Sequence, residues 1–368
     1  MPFLTQFHVI RPPFEYSQED TMHWLARAHQ LSDSFSTSEN NSEEFHGTLL
    51  RKFLSIGTGN KKIEKRGSVV PDLRIVNFDE MEIYAITSEN KEGKGIKERS
   101  SFFEKCADEI VEQFYENTSL SDHLIQVTCT GYVSPSAAQK IVAKKGALNT
   151  SVTHAYHMGC YASIPAVRIA SAMSHANETV DIVHTEMCSL HMNPALHETE
   201  QLVVQTLFAD GFIKYTVSNQ RQKGFEILST RESLIADSSQ RMSWKQENWG
   251  MKMHIAKSVP ILIRRQLKPF IQSLFEKAGV PYQDIYYAIH PGGPKIIDEI
   301  AAELNLTEAQ VLHSTEILRN YGNMSSATLP HIWNAILNDD SIEDGALVLS
   351  LAFGPGLTLA GALMRKVN

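Results

Sequence analysis

Cysteine is scarce. Cys106, Cys129, Cys160 and Cys188 are scattered through 368 residues, and no two have Cys-x-x-Cys spacing. That spacing excludes a zinc ribbon and a disulfide framework, and it makes a reducing cytoplasm the expected compartment. Positive charge is not in excess either. The formal net charge is −8, which argues against general nucleic-acid binding. Met1-Pro2-Phe3-Leu4 lacks a basic segment leading into a long apolar core, so no signal peptide is expected. No short-period repeat is visible. One stretch, Gly345 to Met364, carries no charge, but Gly354-Pro355-Gly356 interrupts it. Two buried strands joined by a turn are expected there in place of a membrane span.

The remaining composition is ordinary. Hydrophobic residues make up 42% and charged residues 21%, enough for a core built without metals or disulfides. Single cores rarely grow past about 250–300 residues, so a chain of this length implies two domains or one fold with two halves.

Strands and helices alternate along the sequence, which implies an α/β fold with largely buried sheets. Helices are expected at 18–30, 102–115, 136–144, after Cys160, around Ile263–Ala278, from Ile296, after Thr307 and around Ile332–Leu337. Thr307 and Gln310 have capping-box spacing. Strands are expected at 124–129, 152–158, 180–186, 212–217, 284–289, 346–353 and 357–363. Ser34–Gly47, Asn90–Ser100 and Arg221–Asn248 read as polar connections.

The stretch from Tyr156 to Ser163 organises the rest. An apolar-leaning run ends at Gly159-Cys160, and a helical pattern with Ile164, Val167, Ala170 and Met173 on one face begins at once. A thiol at a helix N-terminus meets unpaired N–H groups and the favourable end of the dipole, so it is expected to ionise and serve as a nucleophile. A buried, inert cysteine is the alternative. His290 follows a strand and precedes Pro291-Gly292-Gly293-Pro294, where glycines allow close approach of backbone or ligand. Asn323 follows Gly322 at a helix end. The basic run Lys61-Lys62-Ile63-Glu64-Lys65-Arg66 is either a solvated face or a mouth for an anionic nucleotide or phosphopantetheine group.

Together these segments resemble a known family. His290-Pro-Gly-Gly-Pro294, Tyr321-Gly-Asn-Met-Ser-Ser-Ala327 and Phe353-Gly-Pro-Gly-Leu-Thr358 are similar to the C-terminal signatures of chalcone and stilbene synthases, the type III polyketide synthases. Gly159-Cys160 resembles their nucleophile turn, and Leu207-Phe-Ala-Asp-Gly211 their Leu-Phe-Gly-Asp-Gly segment. The matches run in order from Val127 to Thr358 and lie closer to bacterial members; residues 1–120 match poorly, and Ala352 stands where the family has a glycine.

The resemblance implies a thiolase fold, two similar halves in a five-layered αβαβα core, and a homodimer. Residues 1–225 would form the half carrying the nucleophile, and 226–368 the half carrying the histidine and asparagine. It implies Cys160 as acyl acceptor, with His290 holding the thiolate as an ion pair and His290 and Asn323 donating to an enolate. Phe208 would be a gate, with a core aromatic as its alternative. Cys129, Ser134, His191, Ser325, Gly354, Pro355 and Gly356 would shape the pocket, Ser134 near a residue that reaches the partner subunit. Lys61, Lys62, Lys65, Arg66, Gly292 and Gly293 would meet the coenzyme A thioester. No metal or redox cofactor is implied. The expected reaction is loading of an acyl chain from coenzyme A, followed by decarboxylative condensation with malonyl-coenzyme A. Fatty or β-ketoacyl starters are favoured over aromatic ones. The divergent N-terminal region and its basic cluster keep open a ketosynthase that joins two chains held by acyl carrier protein. A Cys-His-Asn hydrolase and a degenerate scaffold subunit are the remaining alternatives.

Overall fold

The computed structural model describes residues 1–36, 43–59, 61–174, 177–282 and 285–368. The strands are β1 Phe3–Ile10, β2 Phe14–Ser17, β3 Lys65–Ser68, β4 His123–Thr128, β5 Ser151–Tyr156, β6 Val180–Met187, β7 Asp210–Ser218, β8 Gly224–Leu234, β9 Met242–Gln246, β10 Met251–Ile255, β11 Ile285–Ile289, β12 Leu347–Gly354 and β13 Thr358–Val367. The helices are α1 Gln18–Ser34, α2 Glu43–Ile56, α3 Ile96–Phe114, α4 Ala137–Lys145, α5 Ser163–Met173, α6 Thr199–Gln205, α7 Val259–Ala278, α8 Pro294–Leu304, α9 Glu308–Tyr321 and α10 Thr328–Leu337.

Nine strands form one sheet in the order β11-β12-β13-β8-β1-β7-β6-β4-β5. Its two wings meet where Phe3, Leu4 and Thr5 of β1 pair with Glu226, Phe225 and Gly224 of β8. Strands β6 and β7 are buried along their whole length, as expected for strands covered on both faces.

Alternation along each strand sends side chains into different cores. Ile125, Val127, Ile182, Ile213 and Val217 share one core with Val348, Ala352, Ala360 and Ala362, and with Val167 of α5 and Trp333 of α10. Helices α5 and α10 are therefore the central layer between the two wings. Leu124, Val183 and Phe212 face the opposite way, into a core with α1, α3 and α4. Leu349, Leu351, Leu359 and Leu363 pack against α7, α8 and α9. The layers are α, β, α, β, α, the thiolase arrangement expected from the sequence.

Several boundaries differ from expectation. Helix α2 begins at Glu43, inside the segment read as a loop, whose residues 37–42 lie outside the described residues. Only Leu49 and Phe53 of α2 are buried, too few to show a helical stripe, although Glu43 and Glu44 in its first turn are an N-terminal signal. Helix α3 starts at Ile96, six residues earlier than expected. The largest correction is Arg221–Asn248. It contains β8, a central strand of the main sheet, and β9, which pairs only with β10. The charges of β8 made it read as a loop, yet they are matched: Glu226 pairs with Arg365 at 2.7 Å and Glu232 with Arg168 at 2.7 Å. Gly345 to Met364 forms β12 and most of β13, an antiparallel pair, and among the described residues no helix is long and apolar enough to cross a membrane.

Candidate active site

Cys160 lies in a short 3-10 turn, Gly159–Tyr161, between β5 and α5, and is buried. Glycine is required on both sides of this contact. Gly159 has φ +74°, and a Cβ there would lie 2.9 Å from Pro355 Cδ. A Cβ on Gly354 would lie 2.3 Å from Tyr161 Cδ1. The Gly354-Pro355 turn thus seats the nucleophile turn. Gly356 lies beyond it, and a Cβ there would meet Thr358 and Leu234.

The sulfur faces groups from distant segments. Ser325 Oγ is 3.9 Å from Cys160 Sγ and 3.0 Å from Cys129 Sγ. Asn323 lies two residues before Ser325, whose N–H donates to Asn323 Oδ1 at 2.9 Å. The Asn323 backbone is bound to the segment around Phe208: its N–H donates to Leu207 O at 3.0 Å, and its carbonyl accepts from Ala209 N–H at 2.9 Å. His290 follows β11, the strand beside β12, and its N–H donates to Leu351 O at 2.8 Å.

These residues differ in what their polar atoms do. His290 is wholly buried, and neither ring nitrogen has a hydrogen-bond partner among the described residues. Asn323 Nδ2 has no partner at hydrogen-bonding distance and angle among them, although its carboxamide lies close enough to the Cys160 sulfur to act on it. Unspent buried donors are rare and call for an explanation. Beneath Cys129 the opposite is true. Buried Glu186 accepts from Cys129 N–H at 3.0 Å, Thr130 Oγ1 at 3.1 Å, Ser326 N–H at 3.3 Å and the Ser326 hydroxyl. His184 bridges Ser326 Oγ and the Tyr215 hydroxyl, each at 2.9 Å.

Burial sets the protonation states. It pushes the Cys160 thiol up to about 12, against the opposing pull of the Ser325 hydroxyl and the Asn323 side chain. It pushes His290 down to about 3 and raises Glu186 above the ordinary glutamate range. Burial thus works against the expected thiolate–imidazolium pair. Desolvation outweighs the helix terminus, and α5 proper begins only at Ser163.

The pocket residues divide. Cys129, Cys160, Phe208, Ser325 and Pro355 line one cavity together with Cys188, Trp244 and Met253. His191 and Phe208 line an adjoining one, again with Cys188 and Trp244. Each cavity leaves about 10 Å³ for the centre of a water-sized sphere, room for about one water. The space is closed by Trp244 of β9, whose Nε1–H donates to Cys129 O at 2.5 Å. Trp244 was missed in the sequence because β9 fell in the segment read as a connection; Cys188 and Met253, outside that segment, were not singled out. The alternation of Met251, Met253 and Ile255 was the available signal.

His191 lines its cavity through its ring alone. Its Nε2–H donates to Thr130 O at 2.7 Å, and its Nδ1 accepts from Met251 N–H at 3.2 Å. Both nitrogens are satisfied, so His191 pins the hairpin and offers only its ring, 5.6 Å from Trp244. Ser134 is exposed and lines neither of these cavities.

The basic run also divides. Lys61 and Lys62 are exposed; Lys62 reaches Asp298 of α8 at 3.3 Å, near the Gly292-Gly293 turn, and Lys65 reaches Glu15 at 3.2 Å. Arg66 is buried and is removed from the expected anion mouth. Among the described residues no group of three or more His, Cys, Asp or Glu is placed to hold a metal ion.

With this geometry in hand, residues 226–368 match the family model for chalcone and stilbene synthases, C-terminal domain. His290, Asn323, Ser325 and the Gly354–Gly356 turn lie inside the matched stretch, and Cys160 lies outside it. A curated relative, "Probable polyketide synthase 1" of Dictyostelium discoideum, is 29% identical over 259 residues, 67% of this chain. The chain spans 8% of that relative's length.

Solved structures share the fold over the whole chain. The C-terminal type III polyketide synthase domain of Steely1, from a Dictyostelium type I/III hybrid, has a TM-score of 0.81 at 23% identity, covering 100% of this chain and 99% of that one. A polyketide synthase of the brown alga Ectocarpus siliculosus gives 0.84 at 18%, covering 100% and 98%. The 1,3,6,8-tetrahydroxynaphthalene synthase of Streptomyces coelicolor gives 0.81 at 21%, covering 100% and 99%. The fold is that of the type III polyketide synthases.

Proposed function

We propose that this chain is an acyl-thioester condensing enzyme that forms carbon–carbon bonds by decarboxylative Claisen condensation. The observation that carries the reading is the set of buried, unspent nitrogens on His290 and Asn323, two residues of the matched stretch, in a protein whose buried thiol Cys160 sits among the same packed segments. Such donors are of most use to an oxyanion that forms only during reaction. Residues 1–225 supply the nucleophile, and 226–368 supply the donors.

In loading, Cys160 Sγ attacks the carbonyl of an acyl-coenzyme A, and neutral His290 takes the thiol proton as the C–S bond forms. The bond to coenzyme A breaks, and the proton passes to the departing thiolate. In extension, a malonyl thioester loses CO₂, and His290 Nε2–H and Asn323 Nδ2–H hold the enolate oxygen. The enolate carbon attacks the acyl carbon, the bond to Cys160 breaks, and the departing Cys160 thiolate takes a proton from water to return to the thiol. Neither half-reaction requires electron transfer, so no redox cofactor enters the scheme. Lys61 and Lys62 meet the nucleotide phosphates, with Lys65 at the edge of the patch. The enzyme acts as a cytoplasmic homodimer in which Ser134 faces the partner's cavity.

The cavity revises the expected starter. With Trp244 packed against Cys129 and near Phe208, short acyl chains are favoured over long fatty ones. Transfer from an acyl carrier protein is the second reading, supported by the relation to a segment of a much longer polyketide synthase.

Intact-protein mass spectrometry with acyl-coenzyme A and acyl-carrier-protein thioesters tests this. Wild type should gain one acyl mass from a short acyl-coenzyme A and lose it when malonyl-coenzyme A is added, and Cys160→Ala should gain none. Loading from carrier protein alone would favour the second reading. An equal adduct on Cys160→Ala would overturn the mechanism.

A further inference from the structure

We propose that Arg66 is a positioning residue for the decarboxylation step: it clamps the segment around Phe208 to the turn that presents Asn323. The inference rests on the condensing-enzyme reading for its kinetic part. Arg66 lies on β3 and is 5% exposed. Its Nη1 donates to Gln205 O at 2.9 Å and to Phe208 O at 2.7 Å. Gln205 is the last residue of α6, so the guanidinium satisfies carbonyls that a helix end leaves unpaired and puts positive charge at the favourable end of its dipole.

The same side chain fills the space beside Gly322. A Cβ at Gly322 would lie 3.0 Å from Arg66 Cγ and 3.2 Å from its Cδ, and 3.0 Å from Ala209 Cβ. Arg66 therefore touches both strands of the bridge that joins Phe208 to Asn323. Strand β3 is anchored independently: the N–H of Glu64, just before it, donates to Arg319 O at 2.7 Å, and their side chains meet at 3.1 Å. Buried Asp210 favours the charged guanidinium against the cost of burial and is itself held by Val69 N–H at 2.6 Å and Ser189 N–H at 2.7 Å. Arg66 Nε and Nη2 have no hydrogen-bond partner among the described residues. Retaining a buried guanidinium with idle nitrogens is costly, and an apolar residue would fill the space without that cost. Arg66 is held there by the two carbonyls it fixes.

Acyl loading uses Cys160, and decarboxylation uses the Asn323 donor, so the clamp should separate the two. Arg66→Met and Arg66→Lys are compared with wild type by three readouts. Loading on Cys160 should stay within about twofold of wild type in both variants. Release of CO₂ from malonyl-coenzyme A should fall at least tenfold in Arg66→Met and recover in part in Arg66→Lys, which keeps the charge but not the reach. Hydrogen exchange, measured without substrate, should quicken in peptides covering 205–209 and 322–325 and stay unchanged in 124–128. Loading and CO₂ release falling together would overturn the proposal, as would unchanged exchange in both peptides. If Arg66→Met does not fold, Arg66→Lys carries the same readouts. Wild type that loads no thioester would refute the condensing-enzyme reading, and the exchange result would still decide whether the clamp exists.

Discussion

Two sides of the site treat their polar groups in opposite ways. On the floor, Glu186 receives the Cys129 and Ser326 N–H groups and the Thr130 and Ser326 hydroxyls, and His184 continues the network to Tyr215. At the other side, His290 and Asn323 are as deeply buried, yet both imidazole nitrogens and the carboxamide nitrogen are idle. A satisfied buried network stabilises and specifies structure. Idle buried donors cost stability and are suited to a charge that appears only in a reaction. The difference separates the part of the site that holds shape from the part proposed to do chemistry.

The largest test of that contrast is Asn323→Ala. Removing one oxyanion donor costs about 10²–10³-fold in turnover, so condensation should fall by that order while loading of Cys160 continues. Rates of CO₂ release and of acyl-enzyme formation, measured separately, check this; equal losses in both would erase the contrast. Next is the ionisation of Cys160. A thiol raised to about 12 is protonated throughout the neutral range, and its thiolate fraction rises about tenfold per pH unit below that value. Alkylation of Cys160 by iodoacetamide should therefore climb from pH 6 to pH 9 without a plateau. A plateau near neutrality would mean that the imidazolium pair is present after all.

A smaller effect concerns the cavity. Trp244→Ala should shift loading towards longer acyl-coenzyme A by about tenfold or more, the scale on which one or two methylenes are discriminated in an apolar pocket. Competition between short and long acyl thioesters measures the shift, and an unchanged preference would remove Trp244 as the limit on chain size. The smallest effects are on stability. Glu186→Gln turns an acceptor into a donor facing other donors and should cost about 1–3 kcal/mol. His290→Gln breaks no hydrogen bond of the ring and should cost less. Urea midpoints of the two variants give the order directly, and the reverse order would show that the idle imidazole is structural.

Much of the fold was legible. The capping box Thr307–Gln310 marks the start of α9, and the helix expected at 136–144 is α4. Leu124, Ile125 and Val127 in a short apolar run announced a strand buried on both faces. The motifs around His290 and Asn323 lie in the stretch, 226–368, that matches the family model. What was hidden had charges whose partners lie far away in the chain. Strand β8 carries Glu226 and Glu232, and only Arg365 and Arg168, 139 and 64 positions away, make it a central strand. Arg66 read as part of a surface patch because its neighbours in sequence are lysines; its carbonyl partners are 139 and 142 positions on.

The sequence by itself determined those strands and helices whose local periodicity is clear, and its motifs, through their resemblance to a known family, pointed to the three residues proposed for catalysis and the glycine turns beside them. Only the tertiary structure decided that Trp244 closes the cavity, that His191 is a pin, that Arg66 lies inside and that burial opposes charge on Cys160 and His290. Each of these depends on burial, and burial is set by segments that meet only when the two wings of the sheet close around α5 and α10.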